Sequence, residues 1–165
     1  MGNRAVIAFK CQKGYIISKE MSPAIYLHWN GGRDSVEAFL EAGKKLGVRG
    51  KDPTYCIARL TQIIGNWLGG GLGVGAGCYG NLDGDNGDNG VYWIYDWEIV
   101  KREFAPSTEQ MVHNKKEMVG DVLAANTDHF MQISPRNSIE LLEEKSTMKH
   151  TRTSYFNLYK EEGTS

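Results

Sequence analysis

Residues 52–71, DPTYCIARLTQIIGNWLGGG, carry the signals for both ends of a helix, and this stretch limits the fold more than any other. Asp52 is a good N-cap, and Pro53 suits the first helical position, where its missing N–H is no loss. Ile57, Leu60, Ile64, Trp67 and Leu68 then recur at helical spacing, and Gly69-Gly70-Gly71 ends the run. A helix with one apolar stripe must bury it against another element. A second helix is expected to start at Asp34, with Glu37 three residues on as a capping-box analogue. Val36, Phe39, Leu40 and Leu46 form its stripe, and Gly47 marks its end.

Strand patterns surround these helices. RAVIAF, residues 4–9, is β-branched and apolar. KCQKG follows and leads to YIIS, either a hairpin partner or loop. In AIYLHW after Pro23, alternation puts Tyr26, His28 and Asn30 on one side and Ile25, Leu27 and Trp29 on the other. VYWIYDWEIVKREF, residues 91–104, reads as one long strand. Val91, Trp93, Tyr95, Trp97 and Ile99 share its apolar face, while Tyr92, Ile94, Asp96, Glu98 and Val100 share a mixed one. Before it, NLDGDNGDNG is turn, and GLGVGAGCYG is a glycine-rich strand or a loop that a ligand can approach closely.

Past Pro106 the pattern becomes helical. Ser107 to Gln110 read as a capping box opening a helix to about Ala125, with Met111, Met118, Val119 and Val122 on one face. A shorter helix near Asn137 or Ser138 would use Ile139, Leu141 and Leu142, and the last fifteen residues form a docked strand or a tail. The expected fold is α+β: a small, mainly antiparallel sheet packed with two helices over residues 1–104, plus a C-terminal helical extension and tail over 105–165. The apolar face of the 111–123 helix is available to the sheet or to a second copy, which leaves room for a homo-oligomer.

Charge narrows the choice of partner. Residues 1–104 hold 12 basic and 11 acidic side chains, residues 105–165 hold 7 and 9, and the net charge is -1. That balance disfavours long nucleic acid as a partner, and equally an acidic mimic of DNA. Cys11, Cys56 and Cys78 form no CxxC pair and leave one thiol over after any bridge, as suits a reducing cytoplasm. The N-terminus lacks a signal-peptide core, and no apolar run reaches the ~18 residues of a membrane span. A cytoplasmic location without a membrane partner is the expectation.

Four blocks, in order, resemble a group of small uncharacterised proteins of tailed phages, prophages and plasmids. They are GNRAVI near the start, YLHWNGG with DSVEAFL, ARLTQIIGN, and LDGDNGDNGVYWI before WEIVKRE, covering residues 2 to about 104. The resemblance implies a setting, the bacterial host cytoplasm during phage or plasmid carriage, and no chemistry. Small accessory proteins of that setting often act against host defences, by binding a protein or by sequestering a nucleotide signal.

Two groups of residues are candidate ligand contacts. The first is the junction Trp29, Asn30, Gly31 and Arg33, where backbone N–H groups at a helix start favour anions, Arg33 offers a bidentate partner for phosphate, and Trp29 offers a stacking face. The competing reading is a plain strand-to-helix turn with Trp29 in the core, and Asp34 already supplies negative charge at that terminus. The second group, Arg59, Gln62 and Asn66, shares one face of the 52–69 helix beside its apolar stripe, as a pocket edge or a solvated boundary. The glycines of 69–77 match neither a Walker A loop nor a dinucleotide fingerprint. Asp83, Asp85, Asn86, Asp88 and Asn89 match a calcium loop only in part: from Asp85, position 3 is Gly87, which has no side-chain ligand, and position 12 is Asp96 in place of the bidentate glutamate.

Cys56, early in its helix, with His28 as base would be the skeleton of a cysteine hydrolase, without any local family signature. The leading expectation is therefore a non-enzymatic binding protein, without cofactor or metal, that neutralises a host factor by sequestering a small anionic nucleotide-derived signal. Two alternatives stand beside it. One is an inhibitor that binds a host protein directly through aromatics such as Tyr155, Phe156 and Tyr159. The other is a small hydrolase using Cys56 or the acidic 83–88 loop.

Overall fold

The computed structural model describes residues 2–69 and 73–130 except 11, 13 and 15–17, with side chains described to residue 127. The short helix near 137, the tail aromatics Tyr155, Phe156 and Tyr159, and most of YIIS lie outside the described residues. Five strands form one sheet: β1 (Ala5–Phe9), β2 (Pro23–Leu27), β3 (Val74–Cys78), β4 (Val91–Tyr95) and β5 (Glu98–Glu103). Their order is β3-β2-β1-β4-β5, antiparallel throughout except where β4 runs parallel to β1. Three helices complete an α+β fold: α1 (Arg33–Lys45), α2 (Pro53–Leu68) and α3 (Lys115–Phe130).

The strand and helix patterns explain the layering. Ile7, Ile25, Leu27, Tyr92 and Ile94 meet the stripes of α1 and α2 on one side of the sheet. Val6, Ala8, Ala24, Val91 and Trp93 face the other side, where Tyr26, Tyr79 and Leu82 cover them. The parallel β1–β4 pair is possible because residues 79–90 carry the chain back from the β3 edge across that second face. Helix α2 packs on β2, β3 and the other two helices, and its ends are as the sequence states: the Asp52 side chain accepts from the Tyr55 backbone N–H, and Gly69 is left-handed.

Three local expectations change. Residues 91–104 form a hairpin and not one strand, because Asp96 and Trp97 both adopt positive φ, 49° and 65°, in a two-residue turn. Such a turn favours Asn-Gly or Asp-Gly, so a tryptophan at the second position needs tertiary support. It has it: the Trp97 indole N–H donates to the Val48 carbonyl at 2.9 Å, and the Asp96 N–H donates to the Gly50 carbonyl at 2.9 Å. The ring packs so closely on Gly43 and Gly50 that a Cβ at either would overlap it.

The third helix starts at Lys115 and not in the Ser107–Gln110 box. Asn114 caps it, its side chain accepting from the N–H groups of Lys116 and Glu117. Met118, Val119, Val122 and Leu123 enter the same apolar cluster as the sheet, against α1 and α2. At the start of α1, Glu37 closes no capping box; its carboxylate pairs with Arg33 and Lys115, and the helix N-cap is Gly32.

Candidate functional site

The NGGRD junction is built as a clasp between distant parts of the chain. Asn30 turns the chain with φ of 59°. The Gly31 N–H donates to the Asn3 carbonyl at 2.7 Å, and the Gly31 carbonyl accepts from the Tyr92 hydroxyl at 2.9 Å. A Cβ at Gly31 would overlap Ala5, and one at Gly32 would overlap the Gln110 carbonyl, so both glycines are required by close approach. Asp34 is buried, and its carboxylate accepts from the N–H groups of Ser35 at 2.9 Å, Val112 at 2.7 Å and His113 at 2.6 Å. The Asn30 side-chain oxygen meets the His113 ring at 3.0 Å. The segment 110–113 is thereby drawn over the start of α1, and a carboxylate of the chain itself stands where an external anion would otherwise sit.

Trp29 lies outside the core, about half exposed, edge-on to His28 at 4.8 Å and next to Gly73. Arg33 is on the surface, with its Nε donating to Glu37 at 2.8 Å, a bond that holds the guanidinium more firmly cationic. Arg33 also lines a depression of about 220 Å³ with Ile99, Val100, Lys101, Arg102 and Glu109. Among the candidate ligand contacts named from sequence, Arg33 alone borders it.

Arg102 organises this depression. Its guanidinium lies over the Tyr92 ring, 3.7 Å from the centroid, because the hairpin register places Arg102 opposite Tyr92. One terminal nitrogen donates to the Asn89 carbonyl at 2.7 Å and the other to Glu109 at 2.9 Å. Among the described residues, Arg102 Nε and Glu109 Oε2 are buried without a hydrogen-bond partner. An unpaired donor and acceptor in neighbouring side chains favour a ligand that supplies both complements. Burial pushes the Tyr92 phenol above its ordinary range despite Arg102, so it stays protonated and keeps donating to Gly31.

Arg102, Glu109 and Tyr92 were not among the sequence candidates. The signal was present only as a basic pair, Lys101-Arg102, at the end of an apparent strand; nothing local links it to Glu109 or to Arg33.

The α2 group divides. Arg59 donates to the Gln62 side chain at 2.9 Å, and its guanidinium lies 5.8 Å from the Tyr55 ring. Asn66 turns instead towards α3, donating to the Asn126 side chain at 2.8 Å, while Asn126 donates to the Ile63 carbonyl. Asn66 thus ties two helices together, where the sequence reading placed it with Arg59 and Gln62.

The alternative chemistries meet other surroundings. Cys56 is fully buried, and desolvation pushes its thiol up to about 12, so it does not ionise near neutral pH. In the 83–90 loop, Asp88 bonds the Arg4 backbone N–H and Nε, Asn86 bonds Asp83 and Asp88, and Asn89 bonds Asn3 and Arg4. Among the described residues no group of three or more His, Cys, Asp or Glu is placed to hold a metal ion, and no helix is long and apolar enough to cross a membrane. Compared with protein-family models, with curated proteins and with solved structures, the chain matches none of them.

Proposed function

We propose that this chain is a non-enzymatic binding protein of a phage or other mobile element, which neutralises a host defence factor by holding a small nucleotide-derived anion. The observation that carries this reading is the Arg33–Arg102–Glu109 depression, with two guanidinium groups and an unsatisfied donor and acceptor. Arginine matches phosphate in a planar, bidentate way, and a carboxylate oxygen accepts from the N–H groups of a base edge.

The volume bears on the scheme. A depression of about 220 Å³ is below the roughly 300–1,000 Å³ of sites that enclose a small molecule. One chain therefore takes a phosphate or a base, and a second copy facing it would close over the rest. The test is mass spectrometry of whatever heat-denatured protein releases, with thermal shifts for cyclic di- and trinucleotides and ADP-ribose derivatives. An unchanged nucleotide that raises the Tm on re-addition, with the rise lost in Arg102→Ala and reduced in Arg33→Ala, is the expected result. A ligand consumed during incubation would replace sequestration by catalysis, and no release or shift across the panel would refute the reading.

A second reading, inhibition by direct protein binding, is favoured by one observation. Phe104, Met111 and Val112, all more than half exposed, lie within nine residues of one another, and Met111 and Val112 adjoin His113, which contacts Asn30 beside the exposed Trp29. A pull-down abolished by a Met111→Ser, Val112→Ser double variant would favour it over sequestration.

A further inference from the structure

We propose that the surface formed by Arg49, Lys51, Tyr55 and Arg59 binds a short single-stranded oligonucleotide. The balanced total charge conceals a local excess: residues 44–59 hold five cations (Lys44, Lys45, Arg49, Lys51 and Arg59) and one acid, Asp52. The fold gathers part of this excess around an aromatic ring. Tyr55, in the first turns of α2, is 45% exposed, and the guanidinium groups of Arg49 and Arg59 lie 4.8 and 5.8 Å from its ring centroid. Beside it, Arg49, Gly50, Lys51, Asp52 and Asp96 line a depression of about 390 Å³.

The two acids there are already engaged. Asp52 caps α2, accepting from the Tyr55 N–H and the Thr54 hydroxyl at 3.0 Å each, and Asp96 faces Lys51 at 3.6 Å. Among the described residues, neither Arg49 nor Arg59 forms an ion pair with an acidic side chain. Arginines beside a half-exposed tyrosine supply the two elements single strands require: cations along the backbone and a π-face for an unpaired base. A duplex hides the faces of its bases, so the exposed ring selects a single strand. This surface lies at the far end of α1 from Arg33, some 18 Å along the helix axis at 1.5 Å per residue, and stands or falls independently of the sequestration reading.

The experiment is fluorescence anisotropy of the full chain with a labelled 12-nucleotide DNA, the same sequence as RNA, and a 12-base-pair duplex. Neutralising three phosphates gives a log–log salt slope of about -2, or roughly a 20-fold loss of affinity from 50 to 200 mM salt. Tyr55→Ala is expected to weaken single-strand binding about 10-fold, Tyr55→Phe to bind like the parent, and an Arg49→Ala, Arg59→Ala double variant to flatten the salt slope by more than half. Arg33→Ala leaves binding unchanged. The proposal is overturned by absence of single-strand binding at 50 mM salt, by duplex binding as tight as single-strand binding, or by Tyr55→Ala behaving like the parent. A loss in Arg33→Ala equal to that in Tyr55→Ala would also overturn it, by moving the binding to the other depression.

Discussion

Glycine to alanine at two helical positions should change stability in opposite directions. Gly43 in α1 and Gly65 in α2 both sit inside helices, where alanine is favoured over glycine by about 1 kcal/mol. A Cβ at Gly65 meets nothing within 4 Å. At Gly43 it would lie 2.6 and 2.8 Å from Trp97 ring atoms Cη2 and Cε3, with Cζ3 nearer still. The ring is rigid and its N–H is tied to the Val48 carbonyl. Relief requires it to slide, losing a hydrogen bond worth about 1 kcal/mol on top of an overpacking cost of roughly 1–3 kcal/mol. Gly43→Ala should therefore lose about 1–3 kcal/mol net, and Gly65→Ala should gain about 0.5–1 kcal/mol. In thermal unfolding the first lowers Tm by roughly 4–10 °C and the second raises it by about 2–4 °C. In a Trp97→Ala background Gly43→Ala should become neutral or stabilising, because the clash partner is gone. If Gly43→Ala instead raises Tm as Gly65→Ala does, Trp97 does not pack on α1 and the account of the hairpin turn fails.

Asp34→Asn removes one acceptor oxygen from a carboxylate that holds two α1-distant N–H groups, and should cost about 2–3 kcal/mol in urea unfolding; a loss under 0.5 kcal/mol would show that the 110–113 clasp is not formed. Glu103 offers a pH test. Burial alone would raise its pKa, but hydrogen bonds from Lys101 and Lys19 override this and hold it at about 2. A depressed carboxylate contributes stability that is present above its unfolded pKa and lost as pH falls towards the folded one, here from about 4.5 to about 2. Glu103→Gln should flatten that limb of the stability curve by about 1 kcal/mol, after discounting for the exposed lysines, and an unchanged acid limb would contradict the pairing. Alkylation by iodoacetamide at pH 8 should modify exposed Cys78 in the native protein and Cys56 only after denaturation; peptide mass spectrometry reads both, and native modification of Cys56 would refute its burial.

What the chain determines locally is what depends on neighbours within a few residues. The cap at Asp52, the proline after it, the 3–4 spacing of Ile57, Leu60 and Ile64 and the left-handed Gly69 each act within one or two helical turns, and all are visible in the sequence. The same holds for β1 and β2, whose alternation separates Ile25 and Leu27 from Tyr26. Where a residue's role depends on a partner far along the chain, sequence was silent or misleading. Asp34 read as a local cap, and in the fold it holds N–H groups 78 and 79 positions away. Trp97 sits in a left-handed conformation that its type disfavours, so alternation extended one strand through it; only Val48, Gly43 and Gly50 make that turn stable. Arg33, Arg102 and Glu109 come together because the β4–β5 register sets Arg102 over Tyr92 and the 105–114 segment returns along it. The elements were written in short-range propensities, while the candidate site was made by long-range packing, which no local pattern encodes.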